Sequence, residues 1–237
     1  LPEGLAKLSV GLDNYYRLLL ADSVHLGEGN LLYALEGQYY DGPWANTEEF
    51  MKFNGFVKYT VGSKRQGLSL MLMGYHADWD ATNQIPRRAV RQGLISRLGS
   101  LDPADGGRSG RFGLSGEGWY ESAAGRTEVN AYVFHYRLNL FSNFTFFLDD
   151  PVNGDQFEQE DRRYVLGGQV AQTFSSDWWT LPMEHTFGLQ VRHDIIPTVG
   201  LHRTRAQERV STVREDRVTE TNIGLYYRNR TQWAPKI

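Results

Sequence analysis

The stretch that decides the fold is Met183–Asp194, which reads MEHTFGLQVRHD. Its odd-numbered positions carry Met, His, Phe, Leu, Val and His, and its even-numbered positions carry Glu, Thr, Gly, Gln, Arg and Asp. Successive side chains point to opposite faces of a β-strand. Alternation sustained over this length therefore predicts a strand with one apolar and one polar face.

The same period of two recurs along the chain, and no segment shows the 3.6-residue period of an amphipathic helix longer than a few turns. We predict an all-β, antiparallel fold of about nine strands, most of them longer than the five or six residues usual in soluble sheets. The predicted strands are residues 5–22, 30–40, 50–61, 67–79, 111–122, 126–141, 162–174, 181–205 and 215–231.

Composition excludes several classes of protein. The chain has 237 residues, 41% of them hydrophobic, and no run approaches the roughly 20 apolar residues of a membrane-spanning helix. Aromatic residues make up 13%, which is not the profile of a disordered chain. The net charge of -3 argues against a nucleic-acid partner. With no cysteine, there is no disulfide, thiolate metal site or thiol nucleophile.

The connections between the predicted strands alternate in length. The short ones are residues 23–29, 62–66, 123–125 and 175–180, and the longer ones are 41–49, 80–110 and 142–161, with a shorter 206–214. Short turns at one end of a sheet and long loops at the other are typical of transmembrane β-barrels in outer membranes. We therefore predict an antiparallel transmembrane β-barrel.

Aromatic residues are placed as a membrane boundary requires. They flank a loop or stand at strand ends, where an amphipathic ring meets both lipid and water. Aromatic residues also cap the strands of soluble sheets, so this feature supports the barrel only together with strand length and loop asymmetry. The residues concerned are Tyr39, Tyr40, Trp44, Trp79, Trp178, Trp179 and Trp233.

In a barrel, the apolar faces meet lipid and the polar faces meet the lumen. We assign to the lumen the basic residues that share the polar parity of their strands, and we predict that Arg111, His135, Arg137, Arg163 and Arg192 line a substrate path. Arginine suits an anionic ligand because its planar guanidinium matches carboxylate geometry. The alternative is a ladder of salt bridges that hydrates the lumen, because acidic residues share these faces: Glu36, Glu117, Glu184, Asp194 and Glu220.

The predicted strand count is odd, whereas bacterial single-chain barrels have an even number of strands. Residues 233–237 resemble the start of a further turn. We therefore expect residues 1–237 to form part of a larger barrel domain within a longer protein. No plug domain and no signal peptide are recognisable within these residues.

Several blocks, in order along the chain, resemble TonB-dependent receptors of proteobacteria. They are Leu32–Glu36 (LYALE) with Asp41–Trp44 (DGPW), the loop that begins Trp79–Pro86 (WDATNQIP), and Tyr136–Thr145 (YRLNLFSNFT) continuing to Phe157. The resemblance implies a barrel of 22 strands plugged by an N-terminal domain. It also implies residence in the bacterial outer membrane.

The resemblance further implies a function in transport. Such receptors import scarce nutrients with energy passed through TonB, and we expect a ferric siderophore or another metal chelate as the cargo. The expected partners are this ligand, the receptor's own plug domain, the TonB system and outer-membrane lipid, and we expect no cofactor. Two other classes stay open: a passive porin-like channel, and a soluble β-rich carbohydrate-binding module.

Catalytic and metal-binding motifs are weak, and we expect no enzymatic activity. Gly113–Gly116 is one residue short of a nucleophile elbow, and no HExxH, Walker A or dinucleotide fingerprint occurs. The loop 149–160 has part of the spacing of a calcium loop, but Pro151 occupies a ligand position and no helices flank it. His185 and His193 lie eight residues apart, too far along a strand to share an ion. We predict no metal site.

Overall fold

The computed structural model describes residues 3–179 and 181–233. These residues form one antiparallel sheet of ten strands, each paired with its neighbours in the sequence, and a short helix α1 (Arg87–Arg91). The strands are β1 Leu5–Val10, β2 Tyr16–Leu26, β3 Gly29–Tyr40, β4 Phe50–Gly62, β5 Gln66–Asp80, β6 Gly106–Ser122, β7 Gly125–Ser142, β8 Phe157–Trp178, β9 Leu181–Arg205 and β10 Glu208–Thr231.

The all-β antiparallel prediction is confirmed, but the count of nine strands is wrong by one. The predicted strand 5–22 is two strands, because the chain turns back at residues 11–15. Asp13 and Asn14 hold the turn with φ values of 54° and 56°. Asp and Asn tolerate this left-handed region better than other non-glycine residues.

Connections at one end of the sheet are short: residues 27–28, 63–65, 123–124 and 179–180. The other end, which we call the loop end, carries residues 11–15, 41–49, 81–105, 143–156 and 206–207. The predicted segregation of loop lengths therefore holds in part: residues 41–49, 81–105 and 143–156 are long, whereas 11–15 and 206–207 at the same end are short. The two longest loops are shorter than expected, because β6 and β8 each begin five residues earlier than the predicted 111 and 162.

The last connection differs most from the prediction. Residues 208–214, predicted as loop, continue β10, and only residues 206–207 join it to β9. β9 has 25 residues, whereas about 9–11 suffice to cross a membrane. An extra residue in β9, near Pro197, shifts its register against β8 and β10. A bulge accommodates a proline that cannot donate to the ladder. The β9–β10 hairpin thus extends far beyond the length of a membrane crossing.

Strand register defines two faces. One, the apolar face, carries leucine, valine and aromatic side chains across the middle of the sheet, as in the aligned row Val57, Leu72, Leu114, Val133 and Leu166. These five side chains are 40–48% exposed, since no second layer of the described residues packs on them. Fully buried apolar residues are correspondingly few in the described chain: Ala77, Phe141, Val165 and Ala171.

The only helix among the described residues, α1, is five residues long and so cannot cross a bilayer. It lies within the loop 81–105 and begins after Pro86. Proline is favoured at a helix start because its missing N–H would be unpaired there anyway.

Candidate functional site

The polar face carries paired charges. Glu36 accepts from Arg17 Nε at 2.6 Å and from Lys52 Nζ at 3.0 Å, which joins three adjacent strands. On β9, Arg192 forms a two-pronged ion pair with Asp194, with both N···O distances 2.7 Å. Arg163 binds Asp161 in the same way. The predicted charged face is present, and most of its basic groups are neutralised by carboxylates next to them.

Arg111 differs from these arginines. Within the described residues, no carboxylate lies within ion-pair distance of its guanidinium, which instead covers the ring of Phe134 with Cζ 4.1 Å from the centroid. Phe134 stacks in turn on Tyr132, with ring centroids 5.9 Å apart. A guanidinium held over an aromatic ring keeps its edge N–H groups available. Among the described residues, Arg111 is thus the member of the predicted set on the polar face that has no carboxylate partner, whereas Arg163 and Arg192 are paired.

Two predicted path residues lie on the opposite face, and their assignment to the lumen is wrong. His135 pairs in register with Phe112 and Tyr164, and Arg137 with Gly110. The His135 and Tyr164 rings lie 4.7 Å apart on the apolar face. The structure therefore brings Arg111, Arg163 and Arg192 to the polar face and places His135 and Arg137 on the other side of the sheet.

The error came from the aromatic residues of β7. Tyr132 and Phe134 look apolar in sequence, but they point to the polar face, where aromatic rings line the arginines. The first half of the strand held the correct signal, because Val129, Ala131 and Val133 alternate with polar residues at even positions. In the second half, Leu138 and Leu140 fall at even positions, beside Arg137, and favoured the wrong parity.

A concavity of about 480 Å³ lies on the polar face beside Arg192. Its polar groups are amides and hydroxyls that bond to one another. Gln190 donates to Gln169 at 3.0 Å, and Gln169 donates to the Tyr226 hydroxyl at 2.8 Å. Asn130 and Asn222 also line it. Such donors and acceptors suit a polar solute.

A second cluster, at the loop end, was not predicted. We call it the loop network: Asn83, Asp102, Asp105, Asn143 and Gln156. Asn83 and Gln156 donate to Asp105, and Asn143 donates to Asp102 at 2.9 Å. Asp105, Asn143 and Gln156 are each no more than 2% exposed. The network ties the loop 81–105 to the loop 143–156. No local pattern reveals it, since its members are up to 73 residues apart in sequence.

The tip of the β9–β10 hairpin joins the same network through Gln156. The Gln156 Oε1 atom accepts from Thr204 Oγ1 at 3.0 Å and from the Gln207 backbone N–H at 2.8 Å. Gln207 Nε2 donates to the Ala104 carbonyl at 3.0 Å. One buried side chain thus connects three separate segments of the loop end.

Next to Gln156, toward the middle of the sheet, two buried carboxylates share one arginine. Arg209 on β10 forms ion pairs with Glu158 and Glu160 on β8, whose side chains are only 3% and 2% exposed. Glu160 also accepts from Arg162 Nε at 2.7 Å. His202, wholly buried, hydrogen-bonds Thr212 at 3.0 Å and lies 3.6 Å from Glu160. These contacts hold the long hairpin against β8.

Burial makes Asp105 pH-sensitive. Desolvation raises the pKa of its carboxyl to about 6, helped by the nearby Asp102 charge, against about 3.9 in an unfolded chain. Because the pKa is raised, the folded loop is favoured by proton uptake at low pH. This contribution is lost as pH rises through 6, with a limit of roughly 3 kcal/mol. We expect faster hydrogen exchange in residues 81–105, after correction for intrinsic rates, at pH 7.5 than at pH 4.5.

In the Asp105→Asn variant this pH dependence should disappear, because the amide does not titrate. Asp150 serves as an internal reference, since the Asn153 backbone N–H lowers its pKa and it titrates below the window. A pH dependence that persists unchanged in Asp105→Asn would assign the effect to another group.

The loop 149–160 does not present its carboxylates to a common point. Asp155 accepts the backbone N–H groups of residues 148–150, and Asp150 accepts those of Val152 and Asn153. Glu160, the last residue of the calcium-like spacing, binds Arg162 and Arg209. In the part of the chain that the structure describes, no cluster of three or more His, Cys, Asp or Glu side chains could hold a metal ion.

Strand order and register define the class of fold: the described residues form one segment of a large antiparallel β-barrel fold, in agreement with the fold that the sequence resemblance implied. The sheet formed by the described residues is not closed. The particular likeness is to a crystal structure of the ferric citrate transporter FecA in its unliganded form, with a TM-score of 0.76. The likeness covers 97% of this chain and 34% of that one, at 10% identity.

At this identity the likeness establishes the fold alone. The chain spans about a third of the length of that structure. No family model matches the sequence, and a search of curated proteins found no match.

Proposed function

We propose that this chain forms part of the barrel of an outer-membrane receptor that imports a scarce nutrient as an anionic metal chelate, with energy supplied through TonB. A ferric siderophore or a similar chelate is the cargo. Transport, rather than covalent chemistry, is the activity. The observation that carries the proposal is a sheet with one uncovered apolar face and one arginine-bearing polar face, in the fold of a transporter barrel.

The apolar face supports a membrane location. Soluble proteins rarely leave a large contiguous apolar surface open to water. Here the row from Val57 to Leu166 crosses five strands. The same face turns polar toward the loop end, where Arg108, Asn139 and Glu160 follow in register. An apolar belt bounded by polar residues fits a bilayer and argues against the soluble carbohydrate-binding module.

The loop end supports recognition of a ligand. A cavity of about 530 Å³ lies between the loop 143–156 and the β9–β10 hairpin. Arg203 and Arg205 line it on the hairpin side, and Asp149 and Asp155 line it on the loop side. Mixed charges on segments fixed by the loop network provide a shaped entrance above the polar face. Binding residues are often carried on loops held by a rigid scaffold.

A passive porin-like channel shares the barrel but needs no energy coupling. The two are separated by uptake of radioactive iron as ferric citrate, the ligand in the name of the similar transporter, and as a catecholate chelate. Uptake is measured in cells that express the full-length protein and compared with that in cells that lack it. The excess uptake should cease when a protonophore collapses the proton gradient across the inner membrane. Uptake that continues undiminished would favour the channel.

Arg111 gives the sharpest test of the polar face. The Arg111→Ala variant of the full-length receptor should bind a chelate that the wild type binds about 10-fold or more weakly, because a hydrogen bond to a charged group contributes about 1.5–3 kcal/mol. The loss should shrink as salt rises, since ions screen the attraction. Isothermal titration in detergent, at low and high salt, measures both.

Arg137→Ala is the matched control, because Arg137 is an equally exposed arginine on the opposite face. Its chelate affinity should equal that of the wild type. Equal weakening by both variants would point to a general effect on folding or charge and would contradict a specific role for Arg111.

A further inference from the structure

Arg137 and Arg162 stand directly opposite each other on β7 and β8, on the apolar face at its border toward the loop end. Facing Cβ atoms in an antiparallel pair lie about 4.5–5.5 Å apart, and like charges in this position repel. A neighbouring negative charge therefore relieves the repulsion between two arginines in register.

The chain does not supply that charge to Arg137. Its side chain lies across Gly110, beside His76, as the 3.3 Å between its Nε and an added Gly110 Cβ indicates. Within residues 3–179 and 181–233, no carboxylate comes within 4 Å of the guanidinium of Arg137 or of Arg108. Both side chains are exposed.

The carboxylates nearby are engaged elsewhere. Asp78 binds His76 Nε2 at 2.5 Å. Glu160 is shared between Arg162 and Arg209, and Glu158 is bound by Arg209 as well. Asp78 also stands opposite Arg108 in register, and His76 is charged only when protonated, so Asp78 remains a counter-charge beside Arg108. Among the described residues, Arg137 is left without a counter-ion. The surface formed by Arg108, Arg137 and Arg162, which we call the arginine patch, has spare positive charge.

The position of the arginine patch along the strands indicates which part of a membrane would contact it. The His135 and Tyr164 rings, with centroids 4.7 Å apart, lie one step below Arg137 and Arg162 on the same face. Two residues along a strand correspond to about 6.7 Å. Below the rings the face is aliphatic, with Val133 and Leu166. Aromatic rings mark the boundary of the hydrocarbon region, so the patch lies at the level of lipid headgroups.

We infer that the arginine patch binds the phosphate of a phosphorylated lipid in the membrane leaflet on the loop side. The guanidinium fork matches phosphate geometry and keeps its charge at all relevant pH values. The lipid chains then lie along the aliphatic surface below. This inference rests on the proposed membrane location, and its site is on the opposite face from Arg111.

Native mass spectrometry of the full-length receptor, purified in detergent, tests it. The probes are a bis-phosphorylated glycolipid of the lipid A type and the same lipid with both phosphates removed. The wild type should retain the phosphorylated form at least 10-fold more strongly. Arg137→Gln should reduce this preference to within about twofold, whereas Arg137→Lys should keep an intermediate preference. Arg230→Gln, an exposed arginine at the short-turn end, should leave it unchanged.

Three outcomes would overturn the inference. Equal retention of the two lipids by the wild type would do so, as would full preference in Arg137→Gln. Displacement of the lipid by 10 mM inorganic phosphate would assign the patch to free anions instead. Chelate titration on the same samples distinguishes failure of this inference from failure of the proposed function. A receptor that inserts in bilayers and binds chelate but shows no preference for the phosphorylated lipid contradicts only this inference. A protein that is monodisperse without detergent contradicts the proposed function.

Discussion

The Arg209→Ala variant is expected to lower the stability of the β9–β10 hairpin by about 3 kcal/mol. Removing one partner of a buried ion pair leaves an uncompensated charge, at a cost of about 3–5 kcal/mol. Arg209 itself is 41% exposed, and Arg162 remains paired with Glu160 in the variant. We therefore expect a loss of stability at the lower end of that range. Two buried carboxylates, Glu158 and Glu160, would then lie side by side on β8 without the cation that they share.

Hydrogen exchange in the full-length receptor measures this effect directly. The amides of residues 201–214 should exchange about 100-fold faster in Arg209→Ala, because 1.4 kcal/mol corresponds to a factor of ten. Arg214→Ala is the matched control, since the Arg214–Asp216 pair is exposed at 77% and 41%. An exposed pair contributes about 0–1 kcal/mol. Equal exchange in the two variants would contradict the importance of the buried pair.

Replacing Gln156 by alanine should release three segments of the loop end at once. Alanine leaves the Thr204 hydroxyl and the Gln207 N–H without their acceptor, and it removes a donor from Asp102 and Asp105. Each buried polar group that loses its partner costs about 1–3 kcal/mol. The expected result is faster hydrogen exchange in residues 81–105 and 143–156 together, by at least about 30-fold.

The same variant should weaken chelate binding by about 10-fold, because loops that are no longer held in place must be ordered when ligand binds. The cavity between residues 143–156 and the hairpin would lose its fixed walls. Gln159→Ala is the control, since Gln159 is exposed three residues further on. If exchange rose in only one of the two loops, the idea of a single connected network would be wrong.

Strand-level features of this protein could be predicted because they are local. Alternation in Met183–Asp194 places Phe187 and Leu189 on one face and Arg192 and Asp194 on the other, as observed. The alternating loop lengths and the all-β class follow from the same period and from turn residues. The resemblance to TonB-dependent receptors, stated from short blocks, agrees with a fold likeness at 10% identity.

Predictions failed where local preference competes with tertiary context. β7 was assigned the wrong parity because Tyr132, Phe134, Leu138 and Leu140 are apolar by type. They lie on the polar face, where the Phe134 ring lies under the Arg111 guanidinium and stacks on Tyr132. Residues 206–214 were expected to form the connection between the last two strands. Residues 208–214 instead form strand by pairing with residues 201–205 of β9, and Arg209 binds Glu158 and Glu160 on β8.

By itself, the sequence determined that this chain forms long antiparallel strands with one apolar face, because side-chain direction along a strand depends only on position. Tertiary structure alone decided which distant side chains meet. The loop network around Gln156, the shared cation Arg209 and the facing pair Arg137 and Arg162 all depend on strand register and loop closure. These are long-range properties, set by the pairing of all ten strands.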